Sequence, residues 1–116
     1  MTKIYHLSTC STCQRILAET DAVAKGCALQ DIKTEKITPA QLDEMKRMAG
    51  SYEALFSRRA LKYKEWGLKD KDLTEEDYRD LILQEYTFLK RPVAISGGRV
   101  FVGSDKKTVE QLKASL

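Results

Sequence analysis

A chain of 116 residues is the usual length of one domain, long enough to bury a single core and too short for two ordinary ones. With 20 Lys and Arg against 17 Asp and Glu, its net charge of +3 is far from the basic balance of a dedicated nucleic-acid binder, while local basic clusters suit a small anionic substrate. No apolar run approaches the roughly 20 residues of a membrane span and no basic-then-apolar leader opens the chain, so a soluble, cytoplasmic protein without membrane association is expected.

Lys3 to Leu7 reads as a short strand that hands over, at Cys10-Ser11-Thr12-Cys13, to a helix over about Thr12 to Lys25. Apolar or small residues recur there at helical spacing: Cys13, Ile16, Leu17, Thr20, Val23 and Ala24. A thiol is therefore expected at a helix N-terminus, where unpaired backbone N–H groups and the positive end of the dipole stabilise its anion. The thiolate is the nucleophile and reductant, so thiol redox or thiol-transfer chemistry follows. Gly26 stops the helix, and Ala28 to Ile32 is a second strand. Thr38-Pro39 is a cap followed by proline at the first helical position, and Leu42, Met45 and Ala49 form the inward face up to Gly50. Two short helices, Ser51 to Phe56 and Ala60 to Trp66, are expected on either side of a Ser57-Arg58-Arg59 corner, the second ending at Gly67. Thr74-Glu75-Glu76-Asp77 resembles a capping box with the shorter acid, ahead of an apolar face at Tyr78, Leu81 and Ile82. After Arg91-Pro92, Val93 to Ser96 and Arg99 to Val102 flank the diglycine of a hairpin, and Val109, Leu112 and Leu116 stripe a last helix. The order β-α-β, helices, β-β-α implies a two- or three-layer α/β domain with a helical insertion.

Cys10, Cys13 and Cys27 cannot all pair within one molecule, and in a reducing compartment a Cys-x-x-Cys beside a β-α handover points to catalysis or redox sensing. Zinc is the rival occupant, because His6, Cys10, Cys13 and Cys27 nominally make four ligands. Structural zinc sites, however, bring their ligands as two closely spaced pairs on tight loops, so no metal is expected. Cys27 reads as a small apolar filler.

Ile4-Tyr5-His6 followed by Cys10, then Leu55-Phe56-Ser57-Arg58, then Lys90-Arg91-Pro92-Val93 with a Gly-Gly-Arg-Val hairpin, resembles the glutaredoxin-coupled arsenate reductase family and its Spx-like relatives in the thioredoxin superfamily. The similarity covers nearly the whole chain. It implies a thioredoxin-like α/β fold with a mixed four-stranded sheet, a single domain over 1–116 and an inserted helical subdomain at about 38–88. It also implies a role for each matching residue: Cys10 as nucleophile, His6 as a strand histidine that helps keep the thiolate, and Arg91 and Arg58 as oxyanion ligands. Ser11 and Thr12 would sit in the anion-binding loop, and Pro92 would be the cis proline facing the cysteine loop. A planar, permanently charged guanidinium suits a tetrahedral oxyanion. Taken on their own residues, His6 is a satisfied strand-end histidine, Arg58 belongs with Arg59, Lys62 and Lys64 to a solvated basic face, and Pro92 is a strand-start proline.

Three departures from the arsenate-reducing type stand out. Val102-Gly103 lies where that type has a further arginine, with no basic residue before Lys106; Ser11 replaces a glycine; and Cys13 adds a second thiol more typical of Spx-like members. The functional expectation is a thiol-dependent oxidoreductase acting on a small oxyanion or thiol substrate. No bound cofactor is expected, with glutathione as co-substrate and glutaredoxin as partner, or Cys13 as the resolving thiol. The alternative is an Spx-like redox-sensing regulator that binds RNA polymerase through a Cys10-Cys13 switch, although such regulators carry a longer basic tail than a chain ending at Leu116 provides.

Overall fold

The computed structural model describes residues 2–116; Met1, the first residue of the expected domain, lies outside the described residues. Two compact units are formed, one from the stretch up to Lys36 together with Arg91–Leu116, the other from Ile37–Lys90.

The first unit carries the sheet. β1 (Lys3–His6), α1 (Ser11–Glu19), β2 (Ala28–Asp31), β3 (Val93–Ser96), β4 (Arg99–Val102) and α5 (Lys106–Ser115) follow in chain order, the intervening helices, α2 (Pro39–Ala49), α3 (Leu61–Glu65) and α4 (Glu75–Gln84), belonging to the other unit. The strand order is β2-β1-β3-β4, β1 pairing parallel with β2 and antiparallel with β3, so the sheet is mixed as expected. Ile4, Ala94 and Phe101 are successive partners across three strands. That stripe, with Leu17 of α1, Ala22 and Leu112 of α5, forms one buried cluster against which Cys27 and Leu116 pack. Period-2 strands and helical stripes thus meet on one sheet face, giving two layers within this unit. The hairpin turns through Gly97 and Gly98, whose φ values of +57° and +77° are those a two-residue turn demands and a side chain disfavours.

The first helix is shorter than its apolar pattern suggests, ending at Glu19 and not near Lys25. The Thr20 hydroxyl donates to the Ile16 carbonyl at 2.8 Å and Asp21 takes a positive φ of 57°, which turns the chain out of the helix. Val23, placed by periodicity on the inner face, is 71% exposed as a result.

The second unit is helical: α2 (Pro39–Ala49), α3 (Leu61–Glu65) and α4 (Glu75–Gln84), with single 3-10 turns at Glu53–Leu55, Leu68–Asp70 and Tyr86–Phe88. The helix expected over Ser51 to Phe56 reduces to one such turn, because Phe56 leaves it in extended conformation to bridge Leu89. Phe56 then becomes the hub of an aromatic cluster, with ring centroids 5.1 Å from Phe88, 4.9 Å from Tyr78 and 6.0 Å from Tyr63. Both expected caps form as reciprocal boxes, Thr38 with Gln41 and Thr74 with Asp77. Among the described residues no helix is long and apolar enough to cross a membrane.

Candidate active site

β1 delivers the chain to Leu7, whose carbonyl accepts the Cys10 N–H at 3.0 Å and so closes a four-residue turn. Cys10 emerges from that turn as the N-cap of α1, in extended conformation (φ −94°, ψ 111°). The neutral thiol makes no side-chain capping bond, so the first amides of the helix remain free to meet an anion.

The two thiols are driven apart. Partial burial opposes ionisation of Cys10, yet its pKa lies below the ordinary value. The Cys13 backbone amide, the Cys13 thiol, the Arg91 charge and the Thr12 amide together outweigh that cost. Cys13 points into the unit and is fully buried. Burial pushes its thiol up to about 11, the neighbouring Cys10 sulfur adds to the rise, and the Leu7 backbone and Arg91 only partly offset it. Cys10 is thus the more readily ionised of the two, beside a Cys13 thiol that donates to it. That asymmetry suits a nucleophile with a second thiol in reserve.

Arg91 lies just before β3, and its bond to Pro92 is cis. Ser11 and Thr12 are the first two residues of α1, Ser11 exposed and Thr12 half-buried. His6 ends β1, 9% exposed, with Nδ1 3.4 Å from the Gln14 side-chain nitrogen, which also donates to the Leu7 carbonyl at 3.2 Å. Arg58 belongs to the other unit. It is no free member of a basic face: its guanidinium donates to Glu53 at 2.8 Å and to the Tyr78 hydroxyl at 2.9 Å. His6, Cys10, Cys13 and Cys27 do not gather as a ligand set, since no group of three or more His, Cys, Asp or Glu side chains able to hold a metal occurs among the described residues.

Two supports of the Cys10 turn carry no signal in the local sequence. One is Gln14, a helix residue whose amide reaches back over one turn. The other is Asp31 at the end of β2, the parallel partner of His6, which accepts from the Ser8 N–H at 3.4 Å and the Lys33 N–H at 3.1 Å. The Ser8 hydroxyl, first, and then those amides hold the Asp31 carboxyl below its ordinary value, against the opposing effect of burial. An acid at the end of the neighbouring strand was the available clue, and only strand pairing makes it one.

The model of the ArsC family matches residues 5–112. Among solved structures, an arsenate reductase from Vibrio cholerae superposes with a TM-score of 0.80 at 19% identity, covering 99% of this chain and 97% of that one. A possible arsenate reductase from Streptococcus mutans gives 0.77 at 26% identity over 97% of each chain. An arsenate reductase-related protein from Brucella melitensis gives 0.70 at 21% identity, over 95% and 92%. None of the curated proteins matches the chain.

Proposed function

The chain belongs to the ArsC family, and from that membership we propose that it is a cytoplasmic, arsenate-reductase-like thiol oxidoreductase whose nucleophile is Cys10. The observation that carries the reading is a thiol at the N-cap position of a helix, with the amides of Cys13 and Thr12 and an arginine charge placed to favour its anion. The Cys10 thiolate attacks the arsenic of arsenate, forming an S–As bond while one oxygen leaves, protonated, as water. A second thiol then attacks the Cys10 sulfur. The electron pair of the S–As bond passes to arsenic, which leaves as arsenite, and two thiols have become one disulfide. Arg91 holds the oxyanion and disperses the charge that develops on it.

The second thiol is glutathione, with glutaredoxin resolving the mixed disulfide, or Cys13, which closes an intramolecular bond that an external thiol must reopen. A Cys13 held protonated needs a base or a bound substrate before it attacks, so glutathione takes the step directly whenever it has access. The test mixes the protein with arsenate, glutathione, glutaredoxin and a nicotinamide-coupled recycling system. Turnover that vanishes in Cys10→Ser supports the reading; no Cys10-dependent turnover removes arsenate as substrate.

The Cys10-Cys13 spacing also favours a second reading, an Spx-like sensor whose disulfide alters its affinity for RNA polymerase. Polymerase subunits captured under oxidising but not reducing conditions, or the reverse, would support it. Capture indifferent to redox state would reject it.

A further inference from the structure

We propose that Gln14 is a positioning residue for the Cys10 thiolate, acting through the Leu7 carbonyl and through His6 held as the neutral Nε2–H tautomer. This rests on the reading of Cys10 as the reactive thiol. The side-chain nitrogen of Gln14 lies 3.2 Å from the Leu7 carbonyl oxygen, a contact that the oxygen end of the amide would make repulsive, so the bond network fixes which end is nitrogen. The same nitrogen lies 3.4 Å from His6 Nδ1. An amide nitrogen donates and does not accept; Nδ1 must therefore present its lone pair, and the ring proton sits on Nε2. An imidazolium would set two donors against each other.

The charged group that faces His6 from the neighbouring strand is Asp31, already engaged by Ser8 and by the Lys33 amide. The Leu7 carbonyl, meanwhile, accepts both the Cys10 N–H and the Gln14 amide, so its two lone pairs are spoken for. The Leu7 backbone also bears on the Cys13 sulfur. One exposed glutamine thus steadies the turn that sets the geometry of both thiols, and His6 contributes shape and a fixed tautomer in place of positive charge.

His6 is the single histidine of the chain, so nitrogen NMR of the labelled protein reads its tautomer without ambiguity. At neutral pH the native protein should show an unprotonated Nδ1 and a protonated Nε2. Gln14→Ala, at an exposed helical position, should lose the preference, and Gln14→Glu, which offers an acceptor in place of the donor, should invert it. Both should alkylate at Cys10 about two- to tenfold more slowly at neutral pH, the worth of one hydrogen bond. If the glutamate variant fails to fold, the alanine variant carries the test. A native Nδ1–H tautomer overturns the proposal, and so do unchanged alkylation rates. Neither readout uses arsenate, so failure here leaves arsenate reduction standing, and failure of arsenate turnover leaves these outcomes unaffected.

Discussion

The starts of α2 and α4 in the helical unit and of α1 in the sheet unit are finished in opposite ways. In the helical unit, Thr38 and Thr74 close full capping boxes over α2 and α4, and the Glu75 carboxylate accepts the Tyr52 and Glu53 amides at 2.7 and 3.1 Å. Two of its arginines are engaged as well, Arg79 by Asp43 at 2.9 Å and Arg58 by Glu53 and Tyr78. In the sheet unit, α5 is capped by Asp105, but α1 begins at a sulfur that makes no capping bond. At α2 and α4 the first amides are met by side chains of the fold; at α1 the start is left for an anion that ionisation of Cys10 itself supplies. Satisfied caps stabilise structure, whereas an unsatisfied one stores a preference for negative charge.

The largest expected effect on that contrast comes from Arg91→Ala. Losing a charge-assisted contact should weaken arsenate binding about ten- to hundredfold and raise the Cys10 pKa, as read by equilibrium binding and by alkylation across pH. Unchanged binding would remove Arg91 from the oxyanion site. Next in size, Cys13→Ala should reduce the thiolate fraction of Cys10 at neutral pH about two- to tenfold, while Cys13→Ser, which still donates, should retain most of it. Equal behaviour of the two variants would mean that the Cys13 thiol gives Cys10 no bond.

Thr74→Ala should cost about 1 kcal/mol in urea denaturation and leave Cys10 alkylation unaltered. A change in Cys10 reactivity there would erase the distinction between structural and chemical helix starts. The smallest effect belongs to Asp43. Arg79 first, and then the Tyr52 hydroxyl, hold its carboxyl at about 2, below the unfolded value of about 3.9. Because the folded value is the lower one, its contribution is complete above the unfolded value and is lost as pH falls toward 2. The pair is solvent-exposed, so the effect is small. The difference in melting temperature between the native chain and Asp43→Asn should be present at pH 6 and close by pH 2; a gap that widens in acid would contradict it.

Most element starts were legible, because caps are local. Thr38-Pro39, Thr74 with Asp77, and the diglycine each act within three or four residues of where they stand in the chain. The end of α1 was not, since Thr20 and Asp21 carry no strong stop signal and the apolar pattern runs on to Ala24. Phe56 was misplaced in a helix because its partner Leu89 lies 33 positions away. The site divides in the same way. Cys10 at a helix start follows from a strand running into a helical stripe. The partners that hold such groups did not show: Asp31 reaches Ser8 across a strand pair, and Tyr78 reaches Arg58 from 20 positions on. Periodicity reports which face is buried and is silent on which side chains meet.

The most direct measurement is the ionisation of Cys10 alone, followed by mass-resolved alkylation across pH with and without arsenate. An alkylation midpoint clearly below the free thiol value of about 8.5, with Cys10 protected from the reagent when arsenate binds, is the predicted result. A midpoint at or above that value, indifferent to arsenate, would contradict it.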